Sequence, residues 1–300
     1  MDFSIFPVPV IFIVTVISAI IMGTLNGDFA KKNDGGIKKL VFRNSIYVFV
    51  TALVLYALSG FAIKLSMFSF IMALAFGLVV TSYSFTSLQA YKFGPYGYTL
   101  VIVCLSTVLT SLSGFLFWNE PFSAYKIVGI TLMVFCFIFA VENKKDDHKK
   151  ANLKWFLLCL ASMLLSASTG LLQKVHQKSQ YKGELMGFLV VAFLFSTLLY
   201  SIIYLCLRKK GDRIVPISGK KELLNFLLPT ICVGVLYALQ NCLNLYLSGV
   251  VDSALMFPIV NGVPLMGGII VSFVLFKERL SKKQLVGLCI GVIAIVFLCI

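Results

Sequence analysis

Tyr237, Gln240, Asn241 and Asn244 recur at i, i+3, i+4 and i+7 inside an otherwise apolar run. That spacing sets one phenol and three amides on a single helix face. Such groups donate and accept hydrogen bonds to a solute, and none of them is a nucleophile or a metal ligand of ordinary strength. Their chemistry is recognition. An unpaired amide is costly in hydrocarbon, so this face has to look at protein or at water. Matching Gly234 with Gly77 brings Tyr83, Ser84 and Ser87 onto the equivalent face of an earlier segment. Asn26, within Gly23-Thr24-Leu25-Asn26-Gly27, and Asn261, between Pro258 and Pro264, are the remaining polar candidates. Each has a plainer alternative, because hydroxyls and small residues also glue helices together and prolines also kink them.

Catalytic patterns are missing from the sequence. It has two histidines, no HExxH, no Gly-x-Ser-x-Gly and no Walker motif, and its eight cysteines form no CxxC pair. No enzyme activity, cofactor or metal site is therefore expected. Glu120 and Glu278 read as capping residues at helix ends, His176 as an interfacial side chain, and Asp28 as the partner of Lys31 or Lys32.

The elements that carry the polar faces must be membrane spans. Of the 300 residues, 59% are hydrophobic and 13% charged, and the mean hydropathy is +0.97. A spanning helix needs about 20 apolar residues. Ten such runs are present, at 9–30, 40–62, 67–91, 96–118, 124–142, 153–176, 184–207, 222–247, 252–276 and 281–299. They are continuous and lack the period-two alternation of barrel strands. The first is too long for a signal core and is expected to remain as a helix.

The residues from Phe117 to Gly129 align without a gap on those from Leu275 to Gly287, placing Glu120 on Glu278, Ser123 on Ser281 and Gly129 on Gly287. The expected fold is an all-α integral membrane protein, ten transmembrane helices as two inverted five-helix repeats. Residues 1–143 form the first repeat, 144–152 a cytoplasmic linker and 153–300 the second.

The net charge of +14 sits mainly in loops. Of the 26 Lys and Arg residues, 21 fall after odd-numbered spans, among them Arg43 in loop 1–2. The remaining five are Lys64, Lys126, Lys174, Lys178 and Lys182. The positive-inside rule then puts both termini outside the cell, and it explains the basic balance without a nucleic-acid partner.

In these features the chain resembles the EamA-type branch of the drug/metabolite transporter superfamily. The five-plus-five arrangement carries the resemblance, together with Glu278-Arg279-Leu280-Ser281, Gln284, Gly287 and the preceding Pro264. The first copy departs at Pro121 and Phe122. The resemblance implies a central cavity lined by spans 1, 3, 4, 6, 8 and 9, with spans 5 and 10 peripheral. It also implies transport of amino acids, other metabolites, nucleotide sugars or drugs. Relatives commonly have cytoplasmic termini, opposite to what the loop charges give here, and small proton-coupled relatives use a first-helix Glu where this chain has Thr24 and Asn26.

The expected function is that of a secondary carrier in a bacterial-type plasma membrane, exporting a small polar or zwitterionic metabolite such as an amino acid. Tyr237, Gln240, Asn241 and Asn244 face Tyr83, Ser84, Ser87, Asn26 and Asn261 across its site. With no deep Arg or Lys expected, phosphate-rich substrates are disfavoured. The alternatives are a multidrug or lipid-linked amphiphile flippase and a non-transporting membrane sensor. The bilayer and a small molecule are the partners; the oligomeric state is open, and a monomer is compatible.

Overall fold

Long apolar runs broken by short polar stretches leave the backbone one way to satisfy its own hydrogen bonds in lipid, which is helix. The computed structural model describes residues 5–32, 36–94, 96–121, 123–140, 152–208, 219–276 and 281–300. Among the described residues there is no strand. The helices are α1 (Val8–Lys32), α2 (Ile37–Leu58), α3 (Met67–Phe93), α4 (Tyr96–Cys104), α5 (Ser106–Phe117), α6 (Ala124–Ala140), α7 (Leu153–Lys178), α8 (Leu185–Leu207), α9 (Lys220–Val250), α10 (Ser253–Phe276) and α11 (Lys282–Cys299). The fourth span differs from the sequence expectation: it is broken at Leu105 into α4 and α5. Among the described residues nine spans are long and apolar enough to cross a bilayer, and Ala124–Phe139 in α6 is apolar but shorter. The chain is a multi-pass membrane protein. The linker except Asn152, and the Glu278-Arg279-Leu280 element, lie outside the described residues, as do the side chains of Lys31 and Lys32.

Local signals set the helix starts. The Ser66 hydroxyl accepts from the Ser69 amide at the start of α3, and the Asn152 side chain accepts from the Trp155 amide at 2.8 Å to start α7. Ser281 and Gln284 form a reciprocal capping box on α11. Pro229, Pro258 and Pro264 are accommodated within continuous helices.

Packing between the halves exchanges when one half is swapped for the other. α3 packs on α8 as α9 packs on α2, and α7 on α3 as α1 on α9; α2 meets α8 and α6 meets α11 across the pseudo-axis. The match reaches single bonds. Thr51 Oγ1 of α2 donates to the Gly234 carbonyl at 2.9 Å, and Ser196 Oγ of α8 donates to the Gly77 carbonyl at 3.0 Å. A Cβ built on Gly77 would lie 2.5 Å from the Ala192 carbonyl oxygen, and one on Gly234 would lie 2.8 Å from that of Tyr47. Two glycines thus let two helix pairs approach through backbone, once in each repeat. The larger apolar core fills the space among α2, α3, α8 and α9, and a second core joins α6, α10 and α11. Exposed Leu, Ile, Val and Phe cover the outside, as a surface solvated by lipid requires.

Candidate functional site: the polar track between the repeats

Hydrogen bonding sorts the polar residues of the spans into two groups. Many hydroxyls are satisfied by the carbonyl one turn earlier: Thr15 to Ile11, Thr24 to Ile20, Thr81 to Gly77 and Thr110 to Ser106. Others join helices: Ser162 donates to Thr86 Oγ1, and the Ser106 and Ser166 hydroxyls bond one another, each at 3.0 Å. These are structural uses. A second group is buried without a protein partner: Asn26 Oδ1, Ser87 Oγ, Ser111 Oγ, Gln240 Oε1, Asn244 Oδ1, and Nε and Nη2 of Arg43. Buried polar atoms in native proteins are nearly always paired. This second group therefore holds the bonding capacity that the protein itself leaves unused.

The track is organised by α2 and α9. Phe42 stacks on Phe226 at 6.0 Å between ring centroids, and Tyr47 meets the Tyr237 ring edge-on at 5.6 Å. Phe193 adds a third ring, 5.4 Å from Tyr237. Tyr83 and Tyr200 are electrostatic neighbours of the same two tyrosines. Asn44 Nδ2 donates to Ser84 Oγ at 3.3 Å. The Tyr200 hydroxyl faces Ser84 and Asn44 without the geometry of a full hydrogen bond. At about 1.5 Å rise per residue, Gln240 and Asn244 lie roughly 5 and 10 Å beyond Tyr237 along α9. Arg43 lies about 6 Å from Tyr47 in the opposite direction.

The sequence-derived residues divide accordingly. Tyr237 and Tyr83 share the tyrosine cluster, and Gln240 and Asn244 keep unpaired buried oxygens on the same α9 face. Asn241 is buried, but its amide donates to the Tyr237 carbonyl at 2.9 Å, a bond within its own helix. Ser84 is used in the α2–α3 contact, whereas Ser87 is 7% exposed and unpartnered. Asn26 sits half-buried on α1. Asn261 goes with α5: its amide donates to Thr107 Oγ1 at 3.2 Å, and the residue is exposed about halfway along α10. A shallow apolar groove beside Leu153, Lys154, Leu157 and Leu158 lies at the start of α7 and touches none of these residues.

Three expectations are overturned. Arg43 is not a loop residue: it is the seventh residue of α2 and only 4% exposed, with its guanidinium carbon 4.1 Å from the centre of the Phe29 ring. Its neighbours Lys38 and Lys39 made it read as the end of a charge run. The spacing Arg43, Tyr47, Thr51 on one helix face was the signal that located it. Lys174 is likewise inside its helix. It is fully buried, its Nζ in ion contact with Glu120 at 2.5 Å and donating to the Val251 carbonyl at 2.9 Å. The interior therefore holds deep basic side chains. His176 is not interfacial; it is buried against the Phe188 ring, 4.4 Å between centroids, with Ser69 Oγ 3.1 Å from Nε2.

Glu120 does act as a cap, but for a helix of the other half. The end of α5 turns through Asn119 in the left-handed region, φ 50°, and the Glu120 amide closes back on the Gly114 carbonyl. Its carboxylate then accepts from the Ser253 amide at 2.6 Å at the start of α10. Lys126 reaches Asp252 at 2.8 Å beside it. On the same side Glu184 accepts from the Ser66 amide and hydroxyl. Polar bonds thus tie together the loops that follow even-numbered spans.

Residues 153–300 match the model of the EamA-like transporter family. The second half of the chain is thus an EamA-like transporter repeat, of a family within the drug/metabolite transporter superfamily. Family members are transporters, and a transporter is what a polar track between two repeats fits. A solved crystal structure of a protein superposes on this chain with a TM-score of 0.77, over 97% of this chain and 95% of the other, at 11% identity. That likeness concerns the fold. No curated protein matches the sequence at a significant level.

Proposed function

We propose that this protein is a secondary carrier that exports a small polar or zwitterionic metabolite, such as an amino acid, across a plasma membrane by alternating access. The observation carrying this reading is the set of buried, unpartnered amides on α9 together with an exposed amide, Asn261, mid-way along a spanning helix. An amide open to lipid at that depth is unfavourable, so the space beside it is best filled by water and solute. The loop charges support an orientation with both termini outside. In that orientation the bonds around Glu120, Lys126 and Glu184 close the outer face, which corresponds to an inward-facing state. The bilayer and a small solute are its partners, with no nucleic acid and no cofactor.

The ring cluster of Tyr47, Tyr83, Phe193, Tyr200 and Tyr237 favours a second reading, export of amphipathic molecules. Flux of amino acids and of lipophilic cations, measured in proteoliposomes, separates the two. The Gln240→Ala/Asn244→Ala double variant is expected to stay folded and lose at least tenfold in flux of the solute moved by the parent protein. Unchanged flux would remove the α9 amides from the site. Ligand-induced stabilisation without flux of any solute would make the protein a sensor.

A further inference from the structure

We infer that Arg43 is a recognition site for an oxyanion, and that the solute this carrier moves bears a carboxylate. The inference rests on the carrier reading above and names the chemistry of its cargo.

The guanidinium presents an unusual balance. Arg43 is 4% exposed, and its Nε and Nη2 have no hydrogen-bond partner in the protein. Arginine does not escape burial by losing its proton. Among the described residues no ion pair to Arg43 is seen, and four carboxylates are held elsewhere: Glu120 by Lys174, Asp252 by Lys126, Glu222 by Lys39 and Glu184 by Ser66. A buried charge that stays ionised needs a counter-charge.

The open atoms also define a shape. Nε–H and one Nη2–H lie side by side along one edge of the guanidinium and point in parallel. That is the fork that binds both oxygens of a carboxylate at once. The Phe29 ring, 4.1 Å from the guanidinium carbon, covers its face and leaves the edge for bonding. Phe29 itself is wedged edge-on against Phe226 of α9 at 5.7 Å. Asn26, three residues earlier on the same face of α1, carries an unpartnered oxygen able to accept from a group next to the carboxylate. One turn beyond Arg43, Tyr47 and Tyr237 supply rings for the body of the solute. The combination of fork, ring lid and aromatic wall suits an organic monocarboxylate.

A phosphate on a lipid headgroup offers the same oxygens, so the test separates the sources. Purified full-length protein is placed in phosphatidylcholine nanodiscs, and thermal unfolding is followed with acetate, 3-phenylpropionate and the common amino acids. Each probe is compared with its neutral amide. At least one carboxylate is expected to raise Tm by several degrees where its amide does not. Arg43→Gln is expected to abolish that gain. Arg43→Lys keeps the charge but loses the fork, which guards against a folding failure of the glutamine variant; it is expected to bind at least tenfold more weakly. Carboxylates no better than their amides, or a gain unchanged in both variants, would overturn the inference. So would stabilisation that depends on Arg43 but arises only when phosphatidylglycerol is added to the discs. If solute flux persists while carboxylate binding fails, the carrier reading stands and only this assignment falls.

Discussion

Separating Glu120 from Lys174 should cost more than any surface mutation in this chain, and the cost should be strongly non-additive. Their side chains are 7% and 1% exposed, so neither charge can turn to solvent when its partner is lost. Breaking a buried ion pair costs about 3–5 kcal/mol. The two single variants should not be equal. Lys174→Met leaves the Glu120 carboxylate with the Ser253 amide and hydroxyl at the positive end of α10, which offsets part of the loss. Glu120→Gln leaves a buried ammonium with no counter-charge in the pair, held by neutral acceptors such as the Val251 carbonyl and by the Trp118 ring. The expected losses are about 2–3 kcal/mol for Lys174→Met and about 4 kcal/mol for Glu120→Gln. The double variant buries no unpaired charge and should be no worse than Glu120→Gln alone, giving a coupling of at least about 2 kcal/mol. At roughly 2–4 °C per kcal/mol, fluorescence-detected size-exclusion after heating in mild detergent resolves these differences. Losses that simply add, or single losses below about 1 kcal/mol, would show that the contact does not hold the even-numbered loops together.

Gly77→Ala and Gly234→Ala should each lower stability by about 1–3 kcal/mol in the same assay, because each new methyl meets a carbonyl oxygen of the facing helix. The two should resemble one another, and a neutral result at either would contradict the close backbone approach. Trp155→Phe removes the 2.8 Å bond from indole Nε1 to Thr99 Oγ1 in a buried contact between α4 and α7; a loss of about 1–2 kcal/mol is expected, and no change in unfolding temperature would deny that bond.

Spans, halves and the α9 polar face were all readable, because each rests on local spacing: an apolar run of known length, a repeated Glu-x-x-Ser element, amides at i, i+3, i+4 and i+7. The parts that were not readable depend on which residues meet across the fold. Lys174 follows Gln173 and precedes His176 near the end of a helix, a position equally suited to a lipid-interface cation, and only α5 folding back through Asn119 brings Glu120 onto it. Arg43 follows Lys38 and Lys39, which stand in the first turn of α2, and its depth is set by where that helix begins. The split of the fourth span at Leu105 leaves no proline or glycine mark at that position. Ser111 was missed for a different reason: α5 holds so many hydroxyls that the one without a partner cannot be told from Ser106, Thr110 and Ser113, which are bonded.

The symmetry of the packing and the asymmetry of the polar bonds together bear on mechanism. Gly77 with Ser196 and Gly234 with Thr51 make the same contact in each half, so the core among α2, α3, α8 and α9 has no intrinsic preference for one face of the membrane. The preference enters at the helix ends. Glu120, Lys174 and Ser253 close one side through bonds between the halves, and they can do so only while α5, α7 and α10 converge there. If the halves are interchangeable frames, a second arrangement is available in which the other ends converge and this side parts. The energy separating the two is then set by a few buried polar contacts and by whatever occupies the track between them. On the carrier reading, a solute bound among Arg43, the tyrosines and the α9 amides shifts that balance only to the extent that it binds one arrangement better than the other. Variants at Glu120 and Lys174 should therefore alter which face labels with water-borne reagents, whereas Gln240 and Asn244 variants should alter flux and leave the labelling pattern of the unloaded protein unchanged.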